Sequence, residues 1–399
     1  MNRRTLLGLG GGALGTVLGG TRLYAAMNDR TTDARSDGSG AASSTPPSDT
    51  PSENSGEDAP DAHRFETRDG NVLLGVSPET VASVPLSALE RWQGRRNAAI
   101  GAFVDVGVPD ERRRDVVDGL LTPIWERGSV PHVVWQPYVG AHEATPPTIA
   151  RDIAAGRHDR TFERWADALD RWLRPDGAPD RRLYLNFAPE MNGDWVPWDA
   201  SDGETTPSDY VEMWRRVRDV VEGTGVGDDH VQWVWAVNHV GRTAHPIEAF
   251  YPGDDYADWC GVHGYNWARW GGWKSPAELY DDALDAVASF TDNPTVLSEY
   301  GCSSAVDGGH DPARKGEWIR EAFDYVEKRD VRMALWFNYD KETDWAVFGG
   351  SRGTEVFDHD GETYNAYEEY RRAVNREGVL PAYAGHPRRL TDEEFRGEF

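Results

Sequence analysis

The chain has 399 residues, of which 39% are hydrophobic and 11% aromatic, enough apolar side chain for one large core. Its 68 acidic residues against 42 basic ones give a formal net charge of -26, which argues against nucleic acid or anionic lipid as a partner. Basic residues are mostly arginine, because lysine occurs only at Lys274, Lys315, Lys328 and Lys341. An acid-rich, lysine-poor surface stays hydrated in brine, so we expect a halophilic protein, with an ordinary acidic secreted protein as the alternative.

The first 63 residues have the composition of processing and tether segments. Arg3 and Arg4 precede a run of Gly, Ala and Leu and then Ala25 and Ala26, which predicts a twin-arginine signal peptide over residues 1–26. The run is short for a membrane span, so we expect secretion to the extracellular side, with an uncleaved anchor as the alternative. Residues 27–63 are rich in Ser, Thr, Pro and Asp, which predicts a disordered linker.

Short apolar runs alternate with longer amphipathic ones between residues 64 and 376. The runs predict strands at Val72 to Val76, Ala98 to Val104, Pro131 to Trp135, Arg182 to Phe187, Val231 to Val237, Trp259 to Tyr265, Thr295 to Glu299 and Met333 to Phe337. Helices are predicted at Asp110 to Arg127, Arg160 to Leu173, Pro207 to Val221, Pro276 to Phe290 and Pro312 to Arg329.

This alternation predicts an α/β fold, a (β/α)8 TIM barrel forming a single catalytic domain over residues 64–376. A doubly wound open sheet is the alternative, but no Gly-rich phosphate loop follows the first predicted strand. Residues 377–399 are charged and punctuated by Gly and Pro, and we expect a C-terminal tail that either packs on the barrel or is disordered. Cys260 and Cys302 lie at opposite ends of their predicted strands, so a disulfide between them is not expected.

Two carboxylates close predicted strands and indicate the chemistry. Glu190 follows the fourth strand and Glu299 ends the seventh, so a barrel would bring both to its catalytic face. Glycosidases use one carboxylic acid to protonate the leaving oxygen and a second carboxylate as nucleophile or base. We expect the charge of Glu299 to raise the pKa of Glu190 and keep it protonated. The alternative interpretation is that both are ordinary surface carboxylates of an acidic protein.

Tryptophan is abundant in the segments that should form the barrel mouth. The chain has 17 Trp, and seven of them fall in or beside these segments: Trp195, Trp198, Trp267, Trp270, Trp273, Trp336 and Trp345. Indole rings stack on the apolar faces of sugars, although any single one could instead pack in the core. The histidines His230, His239, His245 and His263 lack zinc-type spacing, so no metal is expected, and no nucleotide or flavin motif indicates a cofactor.

The segment from Asn186 to Trp198, NFAPEMNGDWVPW, resembles the RFAHEMNGxWxPW signature of glycoside hydrolase family 26, the β-mannanase family of clan A. Further similarity lies in the segments WVWAVN (233–238), YPGDDYADW (251–259), GYNW (264–267), SEYG (298–301) and WFN (336–338). The resemblance implies a (β/α)8 barrel with Glu190 as acid/base and Glu299 as nucleophile. It also implies that Tyr265 hydrogen-bonds the nucleophile and that Trp195 and Trp336 line the sugar site.

The chain departs from that signature at two polar positions, where Asn186 replaces Arg and Pro189 replaces His. Contacts to the sugar would then come from other side chains. The candidate substrate-binding residues are Trp135, Gln136, Asn192, Trp195, Trp198, Asn238, His263, Tyr265, Trp267 and Trp336. His263 stands where Asp is common in the family, and a hydrogen-bonded residue of the barrel core is its alternative interpretation.

The expected function is a secreted retaining endo-β-glycosidase that acts on a β-linked polysaccharide. By the resemblance, β-1,4-mannan is the first candidate substrate, followed by mixed-linkage β-glucan and β-1,3-xylan. A catalytically weak carbohydrate-binding barrel is the alternative, although the presence of both Glu190 and Glu299 argues against it. No protein partner is implied.

Overall fold

A computed structural model describes residues 70–79, 84–140 and 142–399. The predicted signal peptide (1–26) and linker (27–63) lie outside the described residues. Of the helices that the structure describes, none is both long enough and apolar enough to span a lipid bilayer.

Eight parallel strands close into a barrel, which confirms the predicted (β/α)8 fold. The strands are β1 Val72–Pro78, β2 Ala99–Asp105, β3 Val130–Gln136, β4 Leu183–Phe187, β5 Val231–Asn238, β6 Trp259–Asn266, β7 Thr295–Cys302 and β8 Met333–Asn338. Each strand pairs with its sequence neighbour, and β8 pairs with β1 from Leu73 opposite Met333 to Pro78 opposite Asn338, which closes the sheet. All eight predicted strands are present, and most extend by one to three residues toward the catalytic end.

Helices cover the outside of the barrel. They are α1 Val84–Gln93, α2 Asp110–Val116, α3 Thr122–Glu126, α4 Ile149–Ala154, α5 Asp159–Leu173, α6 Pro207–Glu222, α7 Pro276–Ala288, α8 Pro312–Lys328, α9 Glu368–Val374 and α10 Asp392–Arg396. The helix predicted at Asp110 to Arg127 is interrupted, because a π-helical turn at Val117–Leu121 separates α2 from α3. Capping boxes set the starts of α6 and α7, where Thr206 pairs with Asp209 and Ser275 with Glu278.

The C-terminal residues pack against the lower end of the barrel. Val379–Leu380 forms a short parallel strand beside β1. The buried guanidinium of Arg182 donates to the carbonyls of Leu390 and Thr391 and lies over the ring of Phe395. Of the two arrangements expected for this segment, the structure therefore shows the one that packs on the barrel.

The loops after β7 and β8 carry small antiparallel sheets. Ala305–Val306 pairs with Gly309–His310, and a three-stranded sheet is formed by Phe348–Gly350, Glu362–Ala366 and Glu355–His359. Cys260 on β6 and Cys302 at the end of β7 are both buried and unbridged. The loop after β8 places Tyr339 and Trp345 in an aromatic cluster at the catalytic end of the barrel.

Candidate active site

A strained turn aims Glu190 into the top of the barrel. Immediately after β4 the backbone enters the left-handed region at Ala188 (φ 46°) and again at Glu190 (φ 62°), each costing roughly 1–3 kcal/mol. Hydrogen bonds fix the turn: Glu190 N donates to Ala236 O at 2.9 Å, and Trp198 Nε1 donates to Pro189 O at 2.8 Å. Such strain persists only where the surroundings over-determine it, as they do at functional sites.

Both carboxylate oxygens of Glu190 accept hydrogen bonds. Asn238 Nδ2 donates to Oε1 at 2.9 Å, and Trp195 Nε1 donates to Oε2 at 2.7 Å. Asn192 supports this arrangement, because its amide bonds the backbone N–H and C=O of Asn238 at 2.8 and 2.7 Å. Asn238 therefore holds the acid, and Asn192, a predicted sugar contact, is instead committed to holding Asn238.

Glu299 lies on β7 with no solvent-accessible surface. Tyr265 Oη donates to its Oε2 at 2.5 Å, which is the hydrogen bond that the family resemblance implied. Among the described residues, Oε1 of Glu299 has no hydrogen-bond partner. One oxygen of this carboxylate is thus oriented by Tyr265, while the other keeps its lone pairs for a reaction.

His263 on β6 lies between the two carboxylates. Its Nδ1 is 3.2 Å from Glu190 Oε1 and 3.6 Å from Glu299 Oε1, and Nε2 is 3.1 Å from Asn186 Nδ2. A register shift produces this arrangement, since Val262 pairs with Leu297 but His263 pairs with Glu299. Of its two interpretations, core residue or sugar contact, the geometry supports a buried, hydrogen-bonded core residue that belongs to the active site.

The two catalytic candidates are close together. Because both Oε1 atoms contact the same ring nitrogen, they can lie at most about 7 Å apart, and that limit requires a straight line through Nδ1. Any bend at Nδ1 brings the oxygens closer. The prediction that the fold unites Glu190 with Glu299, 109 residues later in the chain, agrees with this geometry.

The electrostatics differ from the expectation that Glu299 raises the pKa of Glu190. Burial does raise the pKa of Glu190, but hydrogen bonds from His263, Asn238 and Trp195 outweigh it and leave the pKa lowered. For Glu299 burial dominates and the charge of Glu190 adds to it, so its pKa is raised, although His263, Tyr265 and Lys341 oppose the change. The expectation was wrong because it ignored the hydrogen bonds that Glu190 receives.

The predicted tryptophans divide into those at the site and those behind it. Trp267 contacts Trp345 edge to face at 4.8 Å, and Trp345 packs on Tyr265 at 5.1 Å, so these rings line the barrel mouth. Trp345 was counted among the mouth tryptophans but not among the candidate binding residues. Gln136 shares a face of β3 with Val134, which packs in the same luminal cluster.

Trp135 and Trp336 face away from the lumen, so their prediction as sugar contacts is corrected. Trp135 packs against Phe162 and Trp165 of α5, and Trp336 packs against Trp318 of α8. Side chains alternate along a strand, and these two lie on the helix-facing side. Trp198 is also fully buried, with its Nε1 bonded to Pro189 O. It supports the turn that carries Glu190 rather than a sugar ring.

The described residues contain no group of three or more His, Cys, Asp or Glu side chains that could hold a metal ion. Glu190 and Glu299, as two adjacent carboxylates, can by themselves perform acid/base and nucleophilic catalysis.

Comparison with known proteins agrees with this geometry. The sequence profile of glycosyl hydrolase family 26 matches residues 176–291, which include Glu190, His263 and Tyr265. The chain is 28% identical over 284 residues to endoglucanase H of Acetivibrio thermocellus, covering 69% of this chain and 28% of that protein. It is 23% identical over 238 residues to a β-1,3-xylanase of Alcaligenes sp., covering 55% of this chain and 49% of that protein. This chain therefore spans less than half the length of either relative.

The barrel also resembles solved structures. A modular endo-β-1,4-mannanase from Cellulomonas fimi superposes with a TM-score of 0.58 at 17% identity, covering 80% of this chain and 73% of the other. GH26C from a Muricauda species gives a TM-score of 0.57 at 16% identity, and the match covers 80% of this chain and 90% of the other. At these identities the similarity establishes the fold. Taken with the profile match over residues 176–291 and the site, it confirms that this chain resembles glycosyl hydrolase family 26.

Proposed function

We propose that this protein is a retaining endo-β-glycosidase in which Glu299 is the nucleophile and Glu190 the acid/base. The observation that carries the proposal is the contact of one nitrogen, His263 Nδ1, with both carboxylates. Retaining enzymes hold the two carboxyl groups roughly 5–5.5 Å apart, whereas inverting enzymes need roughly 6.5–9.5 Å for an intervening water. The distances from Nδ1 to Glu190 Oε1 (3.2 Å) and to Glu299 Oε1 (3.6 Å) fit the spacing of retaining enzymes. The two oxygens would be as far apart as in inverting enzymes only if both lay nearly on a straight line through Nδ1.

Hydrogen bonding supports the assignment of the two roles. A nucleophilic oxygen needs an uncommitted lone pair, and Oε1 of Glu299 lacks a hydrogen-bond partner among the described residues. Both oxygens of Glu190 accept hydrogen bonds, which hold the carboxyl group in one orientation for proton transfer. Tyr265 fixes the other oxygen of Glu299 and so directs the attacking one.

The reaction would proceed in two displacements. In the first, a Glu299 oxygen bonds to the anomeric carbon while the glycosidic C–O bond breaks, and Glu190 transfers its proton to the leaving oxygen. In the second, water attacks the anomeric carbon, Glu190 accepts a proton from that water, and the bond to Glu299 breaks. The strained turn at Ala188 and Glu190 would keep the acid/base in place through both steps.

Glu299 must be ionised to attack, and the groups around it have opposite effects on its pKa. Burial and the charge of Glu190 raise its pKa, whereas His263, Tyr265 and Lys341 favour the carboxylate. A buried carboxylate is poorly solvated and therefore a stronger nucleophile once ionised. We expect activity to fall on the acidic side at a pH above the ordinary glutamate pKa.

For the substrate, we place β-glucan ahead of β-1,4-mannan, which the sequence motif alone ranked first. The relative with the longest match, at 28% identity, is an endoglucanase, whereas the mannanase structures, at 14–17% identity, support the fold alone. The position of the signature His is taken by Pro189, whose carbonyl is occupied by Trp198, so this position offers no polar side chain to a sugar. β-1,3-Xylan, the substrate named for two relatives that match over shorter stretches, remains the third candidate.

Secretion by the twin-arginine route and a requirement for high salt remain part of the proposal. They are supported by Arg3, Arg4 and the following apolar run, and by the net charge of -26. Enzyme assays should therefore be run in concentrated salt as well as in dilute buffer.

Reducing-sugar release from mixed-linkage β-glucan, β-1,4-mannan and β-1,3-xylan tests the proposal. We expect the wild type to hydrolyse at least one polymer and both Glu190→Ala and Glu299→Ala to lose activity by at least about 10³-fold. Glu163→Ala, an exposed residue on α5, is the matched control and should behave as wild type. A folded wild type that binds these polymers without cleaving them would instead favour the carbohydrate-binding alternative.

A further inference from the structure

His263 presents one ring nitrogen to two carboxylates, and all three side chains are almost completely buried. Its Nδ1 faces Oε1 of both Glu190 and Glu299. A bare nitrogen lone pair would be repelled by two carboxylate oxygens, so Nδ1 carries a hydrogen and donates it. The charge of the ring is then decided at the other nitrogen, Nε2.

Asn186 is the partner of Nε2 and is compatible with either charge. With Nδ2 of Asn186 directed at Nε2, at 3.1 Å, the ring nitrogen accepts and the imidazole is neutral. Oδ1 of Asn186 is buried and has no hydrogen-bond partner among the described residues, so rotating the amide breaks no bond at Oδ1. The rotated amide places Oδ1 at Nε2, where it accepts a hydrogen from an imidazolium.

An arginine, which the family signature has at this position, could not serve both states. A guanidinium only donates hydrogen bonds, so it would keep Nε2 unprotonated and repel a charged ring. Asn186 removes that restriction. The departure from the signature at residue 186 therefore makes room for a second proton on His263.

We propose that His263 is a positioning residue that stores, on Nδ1, the proton that Glu190 delivers to the leaving oxygen, and that Asn186 permits this storage by rotating its amide. This inference rests on the proposed function and extends it. His263 reaches the substrate only through Glu190, and it also keeps the two carboxylates at a fixed spacing.

The proton balance is the same in the resting and reactive forms. At rest His263 is an imidazolium and both carboxylates are ionised. Transfer of a proton across the 3.2 Å between Nδ1 and Glu190 Oε1 breaks the N–H bond and forms an O–H bond. The result is a neutral His263, a protonated acid and an ionised nucleophile. After the second displacement, the proton that Glu190 took from water returns to Nδ1.

The titratable groups around His263 agree with this assignment. Burial lowers the pKa of His263, but the charge of Glu299 and the hydrogen bond to Glu190 outweigh burial and leave the pKa raised. Burial and the charge of His263 lower the pKa of His132 on β3 to about 3, so that ring is neutral and does not compete for the proton. The other titratable groups that interact with the carboxylates are Lys341, whose charge favours ionised Glu299, and four groups that burial holds in their neutral forms: it raises the pKa of Tyr265, Tyr138 and Tyr339 and lowers that of His239.

Comparing two substrates, one whose leaving group needs a proton and one whose leaving group does not, distinguishes proton storage by His263 from a purely structural role. His263→Asn keeps a neutral N–H donor near the position of Nδ1 but cannot hold a second proton. We expect its kcat/KM on the polysaccharide to fall by about 100-fold, because the leaving oxygen needs protonation. With a dinitrophenyl oligosaccharide glycoside, whose leaving group needs no proton, we expect less than about threefold loss. Equal losses on both substrates would overturn the proposal.

Asn186→Asp keeps His263 and offers Nε2 a permanent acceptor. The added charge favours the imidazolium, so the alkaline limb of the kcat/KM profile should move to higher pH, by about one unit. An alkaline limb that stays at the wild-type position would contradict the proposal. This variant provides the test if His263→Asn does not fold.

A spectroscopic measurement on the wild type needs no substrate. With ¹⁵N-labelled histidine, the resonances of His263 should show both ring nitrogens protonated at neutral pH and loss of the Nε2 proton only well above the ordinary histidine pKa. A ring protonated at a single nitrogen across this range would overturn the proposal. Because no hydrolysis is involved, a wild type that cleaves none of the polymers would count against the proposed function and not against this result.

Discussion

The indole ring of Trp195 occupies the space into which a side chain at Gly193 would extend. A Cβ added at residue 193 would lie 2.6 Å from Cε2 and Cζ2 of that ring, far inside van der Waals contact. The same indole donates the 2.7 Å hydrogen bond to Glu190 Oε2. The absence of a side chain at residue 193 therefore lets Trp195 reach the acid/base.

Gly193→Ala should displace Trp195 and break this hydrogen bond. A hydrogen bond to a charged group contributes roughly 1.5–3 kcal/mol, so we expect kcat/KM to fall about 10- to 100-fold. Trp195→Phe, which removes the N–H donor and keeps an aromatic ring, should have a similar effect. Gly227→Ala, where an added Cβ meets no atom within 4 Å, is the control. Wild-type kinetics for Gly193→Ala would show that the contact with Trp195 is unimportant.

Trp270 is a candidate platform for a sugar away from the cleavage point. Its side chain is 50% exposed, on a loop closed by Asn266, whose amide bonds the backbone of Ala268 and Lys274. We expect Trp270→Ala to raise KM for the polysaccharide about 5- to 10-fold with kcat unchanged, since a stacked ring contributes roughly 1 kcal/mol. KM for an oligosaccharide too short to reach the loop should not change. Equal effects on both substrates would place Trp270 next to the cleavage point instead.

The opposite pKa shifts of the two carboxylates predict opposite effects on stability. Glu299 has a raised pKa, so its stabilising neutral form is lost as pH rises through that pKa, and Glu299→Gln should raise the unfolding temperature at pH 7. Glu190 has a lowered pKa, so its contribution is present at pH 7 and lost in acid, and Glu190→Gln should lower the unfolding temperature at pH 7. The Glu299 difference should shrink as pH falls from its raised pKa to the ordinary glutamate pKa, and the Glu190 difference should shrink as pH falls below that ordinary value. Thermal unfolding between pH 4 and 8 measures them, and shifts of the same sign would contradict the assignment.

Lys315 anchors the loop that carries Trp345. Its buried Nζ donates to the carbonyls of Trp345 at 3.1 Å and Ala346 at 2.9 Å, and lies 3.7 Å from a carboxylate oxygen of Asp344. Lys315→Met would leave these groups buried and unpaired, so we expect a loss of about 3–5 kcal/mol in the free energy of unfolding. Lys328→Met, at an exposed position on the same helix, should change it by less than about 0.5 kcal/mol. Denaturant unfolding of both variants in constant salt measures these losses, and equal losses would contradict the anchoring role of Lys315.

The strands and the catalytic pair could be predicted because their signals are local. Buried parallel strands are short continuous apolar runs, and Glu190 and Glu299 interrupt two such runs where catalytic groups of a barrel occur. The same continuity hides which face of a strand points inward. Trp135 and Gln136 are adjacent, yet only Gln136 shares the luminal face, and the sequence offered no alternation to distinguish them.

The charge distribution of the site could not be read from the sequence. It depends on the register shift that sets His263 opposite Glu299 and on the turn that gives Glu190 three donors. Both are tertiary features without a local sequence pattern. The departures from the family signature at residues 186 and 189 were visible in the sequence, but the contacts of His263 with Asn186 and with both carboxylates required the structure.

Trapping of the covalent intermediate tests the central claim most directly. A dinitrophenyl 2-deoxy-2-fluoro glycoside of the hydrolysed oligosaccharide slows the second displacement more than the first, so the glycosyl-enzyme should accumulate. We expect mass spectrometry of the digested protein to find one labelled peptide, with the sugar on Glu299, and no label in Glu299→Ala. A label on Glu190, or steady hydrolysis with no labelled residue, would contradict the assignment of Glu299 as nucleophile.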